Sequence, residues 1–280
     1  MGRKRKNVFP NDKATQEWLD SQKTSTRKAY GSHWKYFLEY VGLTGDQILE
    51  SKKADKDYSW EKKVLGFKNW LIEKGKSERT GTSASIAVRG FFAYHRLDLK
   101  FRRTESAKLS EAEPKYEDYR FSKEDLKRMS DVSDLTEKYV ITAGKSFGLR
   151  VSDFAALTKG DLEPYLDRPV PISIGEYATK KEKVKAFPFI DADALPVIKL
   201  MIEKMDREGR TKPTDRILKY KNEIQLTRTL KRVADSAGIK YGNKRVRFHC
   251  LRKFLTDRLS SHMSESKWKQ IVGKKISEGA

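Results

Sequence analysis

A single cysteine, Cys250, excludes an intrachain disulfide framework and any zinc ribbon, and it fits a reducing compartment. No apolar run approaches the length of a membrane span, and the start M-G-R-K-R-K lacks the apolar core of a secretory signal. Acidic residues are also scarce: 39 Asp plus Glu stand against 60 Lys plus Arg, a formal net charge of +21. Solvated lysines account for part of that excess, but an imbalance of this size points to a polyanionic partner, most simply nucleic acid. Four histidines and the lone cysteine supply no cluster of metal-ligating residues. There is no internal repeat and no low-complexity tract. The expectation is a soluble, cytoplasmic protein of 280 residues, long enough to bury a sizeable core and to form two domains rather than one.

What is present is mostly helical patterning. Residues 1–12 carry a basic arm, Arg3 to Lys6, which is either a phosphate-binding arm or a simple tail. Ala14 to Asp20 reads as a short helix and Thr26 to Val41 as a longer one, with Tyr30, Trp34, Phe37 and Val41 on one face and Gly42 as its end. Tyr58 to Lys74 repeats the rhythm with Trp60, Val64, Phe67 and Leu71. Ser83 to Leu97 carries Ile86, Phe91 and Tyr94. Aromatics at these spacings are core residues first, so 13–97 is expected to be a compact helical domain. Residues 98–119 lose the periodicity, mix charges with Pro114, and read as a linker. A second domain then covers 120–280.

In that second domain Ser122 opens a helix with Asp125 as its capping-box partner, and Leu135 to Phe147 continues helically to Gly148. The A-G-K-S at 143–146 is not a phosphate loop, because Tyr139 stands where the leading glycine belongs. In G-L-R-V-S-D-F-A-A-L, 148–157, Gly148 closes one helix and Val151, Phe154, Ala155 and Leu157 anchor the next. Arg150 then stands at a fresh helix N-terminus with Asp153 placed to hold it. Val170 to Ile174 and Val184 to Ile190 read as the two strands of a β-hairpin whose turn, Ala178 to Lys183, bears Lys180 and Lys181; Pro188 marks an edge or an early end. Helices follow at Asp193 to Arg207 and Asn222 to Ala237. In R-V-R-F-H-C-L-R-K-F-L, from Arg245, Leu251, Phe254, Leu255 and Leu259 bury one face, and His249 and Arg252, three residues apart, share a flank of it. By itself such a pair is equally a packed imidazole and a surface ion pair. A short helix, Glu265 to Val272, leads to Gly273-Lys274.

Taken together these blocks resemble the tyrosine recombinase, or phage integrase, family over nearly the whole chain. S-T-R-K-A-Y-G-S-H-W-K-Y-F-L-E-Y-V-G is similar to the family's core-binding helix, G-L-R-V-S-D-F-A-A-L to the block of the first catalytic arginine, T-K-K-E-K-V-K-A-F-P-F to the hairpin of the catalytic lysine, and F-H-C-L-R to the His-x-x-Arg block. Each motif is weak alone, and the four occur in the family's order and spacing. The resemblance implies a mainly α fold with a small β-hairpin, a helical core-binding domain followed by a mixed α+β catalytic domain, and double-stranded DNA as partner. It implies Arg150, Lys180, His249, Arg252 and Lys274 as catalytic residues with Asp153 in support, Lys180 being favoured over Lys181 by its distance from Pro188. Candidate DNA-contacting residues are Arg27 and Lys28 on the core-binding helix and Lys181, Lys183 and Lys185 on the hairpin.

The implied chemistry suits these residues. Arg150 and Arg252 offer forks of donors to the non-bridging oxygens of a pentacoordinate phosphate, His249 and Lys274 add hydrogen bonds, and Lys180 protonates the leaving 5′-oxygen. A tyrosine attacks phosphorus and conserves the bond as a 3′-phosphotyrosyl ester, so no cofactor, ATP or metal is expected. Two departures stand out. Lys274 occupies a position where the family has His or Trp, with a different donor geometry. No tyrosine follows Tyr241, so the expectation is a sequence that stops before its nucleophile, binds DNA without cleaving it and is monomeric in solution, whereas the full-length protein forms a tetramer on DNA. The alternatives left open are a type IB topoisomerase-like enzyme and a non-catalytic DNA-binding relative with an architectural or regulatory role.

Overall fold

The computed structural model describes residues 12–111, 116–178, 185–220 and 223–275. The chain divides into two compact units, Met1–Lys115 and Tyr116–Ala280. It is mainly α-helical with two short antiparallel strand pairs. No helix among the described residues is long and apolar enough to cross a membrane.

The first unit holds α1 (Lys13–Asp20), α2 (Thr24–Val41), α3 (Gly45–Lys53), α4 (Ser59–Glu73), α5 (Glu78–Tyr94) and α6 (Arg103–Ser110). Trp34 and Phe37 of α2, and Trp60, Val64, Phe67 and Leu71 of α4, are buried at the spacing that the sequence shows. Gly42 ends α2 in the left-handed conformation at φ 69°. The reading of α5 needs correction. The helix begins earlier, at Glu78, where Ser77 accepts a hydrogen bond from the Thr80 N–H, and its buried face is Ala84, Ala87, Val88, Phe91 and Phe92. Ile86 and Tyr94 are 50% and 44% exposed. Ala84 and Ala87 share the packed face with Val88, Phe91 and Phe92, so that face is not the one Ile86 and Tyr94 mark.

Two further helices have little apolar signal. α3 is set by a Thr44–Gln47 capping box and buries Ile48. α6 lies inside the window read as a linker; its one apolar anchor, Leu109, is 2% exposed in the first core. The Lys68 ammonium donates to the Lys108 and Glu111 carbonyls at 2.5 and 2.6 Å, so a cation closes the carbonyl end of α6. The window 98–119 is therefore no bare linker: its first part joins the first unit, and Asp118 and Tyr119 join the second.

The second unit is built around α8 (Leu135–Phe147), which follows α7 (Lys123–Asp131) and precedes the single-turn helices α9 (Val151–Phe154) and α10 (Lys159–Leu162). Strands β1 (Ile172–Ser173), β2 (Tyr177–Ala178), β3 (Lys185–Ala186) and β4 (Phe189–Ile190) come next, and then α11 (Ala194–Arg207), α12 (Glu223–Ser236), α13 (His249–Ser260) and α14 (Glu265–Val272). Helices α7, α11, α12 and α13 all pack on α8. The Ser122–Asp125 capping box starts α7 as expected. Where the sequence suggests two continuous strands, the structure has two short ladders: β1 with β4, Ile172 opposite Ile190, and β2 with β3, Tyr177 opposite Ala186. Pro188 sits between β3 and β4, lacks an N–H to continue a ladder, and uses its carbonyl to accept from the Ile174 N–H at 3.2 Å.

Candidate active site

The site is assembled at the end of α8. Gly148 lies at φ 56°, and a Cβ there would come within 2.5 Å of Leu255 Cδ2 and 3.2 Å of Val272 Cγ1. Glycine is thus what allows α13 and α14 to close on this turn. Into the same turn reaches Arg252, 3% exposed, whose Nη1 donates to the Gly148 carbonyl at 2.7 Å. Arg150 follows two residues later as the N-cap of α9, with extended backbone and a carbonyl accepting from the Phe154 N–H at 2.9 Å. One hydrogen bond therefore brings the two arginines to one junction across 104 residues of chain. The expected phosphate-attracting helix N-terminus is not supplied here, because α9 is a single turn and its summed dipole is small.

Lys274 arrives from the end of α14. Gly273 turns the chain at φ 65°, the Lys274 N–H donates to the Lys269 carbonyl at 2.8 Å, and Nζ lies 4.8 Å from the Trp268 ring centroid. Burial lowers the Lys274 pKa from the ordinary lysine value, and the positive charges of Arg252, Lys269 and Arg150 lower it further against an opposing pull from Asp257. Arg150, Arg252 and Lys274 thus share one electropositive spot in which a bound anion would relieve mutual repulsion.

His249 is the first residue of α13, one turn before Arg252, and its side chain is open to solvent. Partial desolvation lowers its pKa, Asp118 pulls the other way, and Arg247, Lys253 and Arg252 add to the lowering. Asp118, Arg247 and Lys253 escaped the sequence reading. Asp118, with a side chain only 4% exposed, receives Arg247 Nε and Nη2 at 2.6 and 2.9 Å and Lys253 Nζ at 3.0 Å. The only hint in the sequence is the pair of arginines alternating before His249; their acceptor sits in a segment without periodicity.

Asp153 is fully buried, and its carbonyl accepts from the Tyr177 hydroxyl at 3.3 Å. Lys180, Lys181 and Lys183 lie outside the described residues, as does the basic arm Arg3 to Lys6. Lys185 is exposed on β3 and pairs with Glu176 at 3.0 Å. Just beyond it the Phe187 N–H donates to the Ile271 carbonyl at 3.1 Å, joining the base of the hairpin to α14. In the first unit Arg27 pairs with Asp20 at 2.6 Å, while Lys28 is exposed.

Neither the protein-family models nor the curated proteins give a match to this sequence. Solved structures do. A lambda integrase (75-356) dimer bound to a COC' core site matches at TM-score 0.62 and 15% identity, over 94% of this chain and 96% of that one. The XerH site-specific recombinase bound to its difH substrate matches at 0.60 and 15%, over 89% and 73%. The Tn1549 transposon integrase in complex with transposon right end DNA matches at 0.60 and 14%, over 94% and 91%. With both units covered, and with the recombinase-like motifs in order along it, the chain has the fold of the tyrosine recombinases and integrases.

Proposed function

We propose that this chain engages double-stranded DNA as a site-specific recombinase or integrase, with Arg150, Arg252, His249 and Lys274 around one scissile phosphate. The observation that supports the reading is the docking of Arg252 on the Gly148 carbonyl, two residues before Arg150, with both arginine charges acting on Lys274, in a fold shared with recombinases solved on DNA. Two arginine forks suit the non-bridging oxygens, whose charge grows as the phosphate becomes pentacoordinate. A Lys274 ammonium loses its repulsion as that charge grows. His249 is a hydrogen-bond donor at the rim, and Lys180 on the hairpin is the general acid for the leaving 5′-oxygen.

We further infer that these 280 residues bind DNA without forming a covalent adduct. The described tyrosines near the site are poor nucleophiles. The Tyr177 hydroxyl is engaged by Asp153, and its pKa is pushed up to about 12 by burial and by the charges of Asp153 and Asp161. Tyr139 is fully buried, and burial pushes its phenol up as well. The Tyr241 hydroxyl donates to Asp235 at 2.6 Å. On this reading the active assembly on DNA is a homo-oligomer.

A labelled duplex titrated at several salt concentrations tests the binding. The reading expects a steep linear fall of log affinity with log salt, roughly one unit of slope for each phosphate neutralised. A flat response removes it. Incubation with a nicked suicide duplex tests the chemistry: the 280-residue protein should give no adduct on a denaturing gel, and Arg150→Ala and Arg252→Ala should leave much of the binding. An adduct formed by these 280 residues overturns the inference.

A further inference from the structure

We propose that Asp118 is the positioning residue for His249, tying Arg247, two residues before it, and Lys253, one helical turn after it, into a clamp that fixes the start of α13. The role it assigns to His249 rests on the function proposed above; the clamp itself does not.

Three features carry the proposal. First, Asp118 is buried and accepts three charge-assisted hydrogen bonds, two of them in the paired geometry of an arginine fork. Second, the backbone is zipped at the same place: the Arg245 N–H donates to the Glu117 carbonyl at 2.7 Å and the Tyr119 N–H to the Arg245 carbonyl at 2.9 Å. Third, Lys253 stands four residues beyond His249 and so occupies the same face of α13. A carboxylate that holds Lys253 and Arg247 together brackets the residue between them in the chain, and its charge acts on the imidazole. Helix α13 has no side-chain N-cap, and this clamp adds to the Cys250 and backbone hydrogen bonds that hold its first turn.

The charges set a direction. The groups acting on His249 are Asp118 from the segment before α7, Arg247 from the loop before α13, and Lys253 and Arg252 from α13 itself. Asp118 is the one anion among three cations. Neutralising it leaves the cations in place, disfavours the imidazolium and lowers the His249 pKa, whereas removing a cation raises it.

The experiment is an NMR titration of the imidazole signals of the full chain, with His249 identified among the four histidines by the signal lost in His249→Gln. Asp118→Asn should lower the His249 pKa by roughly one unit, and Lys253→Met should raise it. A purely structural role for Asp118 does not produce shifts of opposite sign. An unchanged His249 titration in a folded Asp118→Asn protein overturns the proposal; should that variant fail to fold, an unchanged or lowered value in Lys253→Met overturns it instead. The same variants are then titrated with a mixed-sequence duplex at fixed salt across pH. The pH midpoint of DNA affinity should follow the ring pKa in each variant. If the ring shifts and the affinity does not follow, the clamp stands and the phosphate role given to His249 fails.

Discussion

The two units are held together in different ways. The first is filled by aromatic rings: Trp34 lies 5.3 Å from Trp18, 5.4 Å from Phe37 and 4.0 Å from Phe91 between centroids, with Trp60, Phe67 and Phe92 continuing the cluster. Its buried charged side chains include Asp55 and Glu61, both held by Lys52, and Lys68, which serves carbonyls. The second unit buries Asp118, Asp125, Glu137, Asp153, Lys159 and Arg252 beside a largely aliphatic core. Lys159 pairs with Asp206, and Arg232 with Glu137. Aromatic packing makes a rigid body with no chemical commitment. Buried charges fixed by hydrogen bonds cost desolvation and are tolerated where cations must be aimed.

The sharpest way to break this comparison is Trp34→Ala. If ring packing is what holds the first unit, the change costs about 3–5 kcal/mol, read as a lowered urea midpoint of the full chain with DNA affinity per folded molecule preserved. A loss below about 1 kcal/mol would mean that the aromatic cluster is not the main support. Gly148→Ala probes the other unit. Left-handed strain and the clash with Leu255 and Val272 together cost about 2–4 kcal/mol, and DNA affinity per folded molecule should fall no further than in Arg252→Ala, because what is disturbed is the seat of Arg252. A variant as stable and as tight-binding as the parent would remove the junction from the argument.

Acid sharpens the comparison with a smaller effect. Burial alone would raise the carboxyls of Asp118 and Asp125. Arg247 and Lys253 outweigh it for Asp118, and Ser122, Arg128 and Tyr119 for Asp125, so both sit below the ordinary range. A depressed carboxyl stabilises fully above its unfolded pKa, and that contribution is lost as pH falls through the folded value. In the first unit Asp55 is depressed much further, because the Ser59 and Trp60 N–H groups and Lys52 outweigh its burial. As pH falls below about 4 both units should lose stability, through Asp118 and Asp125 in the second and Asp55 in the first. Amide exchange followed on both units would show the two losses, and a unit untouched by acid would contradict its part.

Much of this was legible before any coordinate. Trp34 and Phe37, the capping box at Ser122, and the closing glycine at 148 are local signals, and the structure uses each as read. The His249 and Arg252 pair was visible as a motif, but its seat was not, because the Gly148 carbonyl that receives Arg252 lies 104 residues away and carries no side chain to notice. Asp118 was invisible for the same reason at 129 residues from Arg247, in a stretch whose lack of periodicity suggested a linker. Helix α6 was missed because one leucine and a lysine on its carbonyl end suffice to dock it. Ile86 and Tyr94 are large yet exposed, so size alone does not mark the buried face. Periodicity reports which face is oily, whereas closeness of approach depends on small residues such as Ala84 and Ala87.

The hydrogen bond from the Phe187 N–H to the Ile271 carbonyl gives the hairpin and Lys274 a common fulcrum. Phe187 lies two residues after Lys185, and Ile271 three residues before Lys274, so the bond works as a lever between strand and helix. Hairpin base and lysine turn are thereby tied at one point, so neither shifts without the other unless that bond breaks.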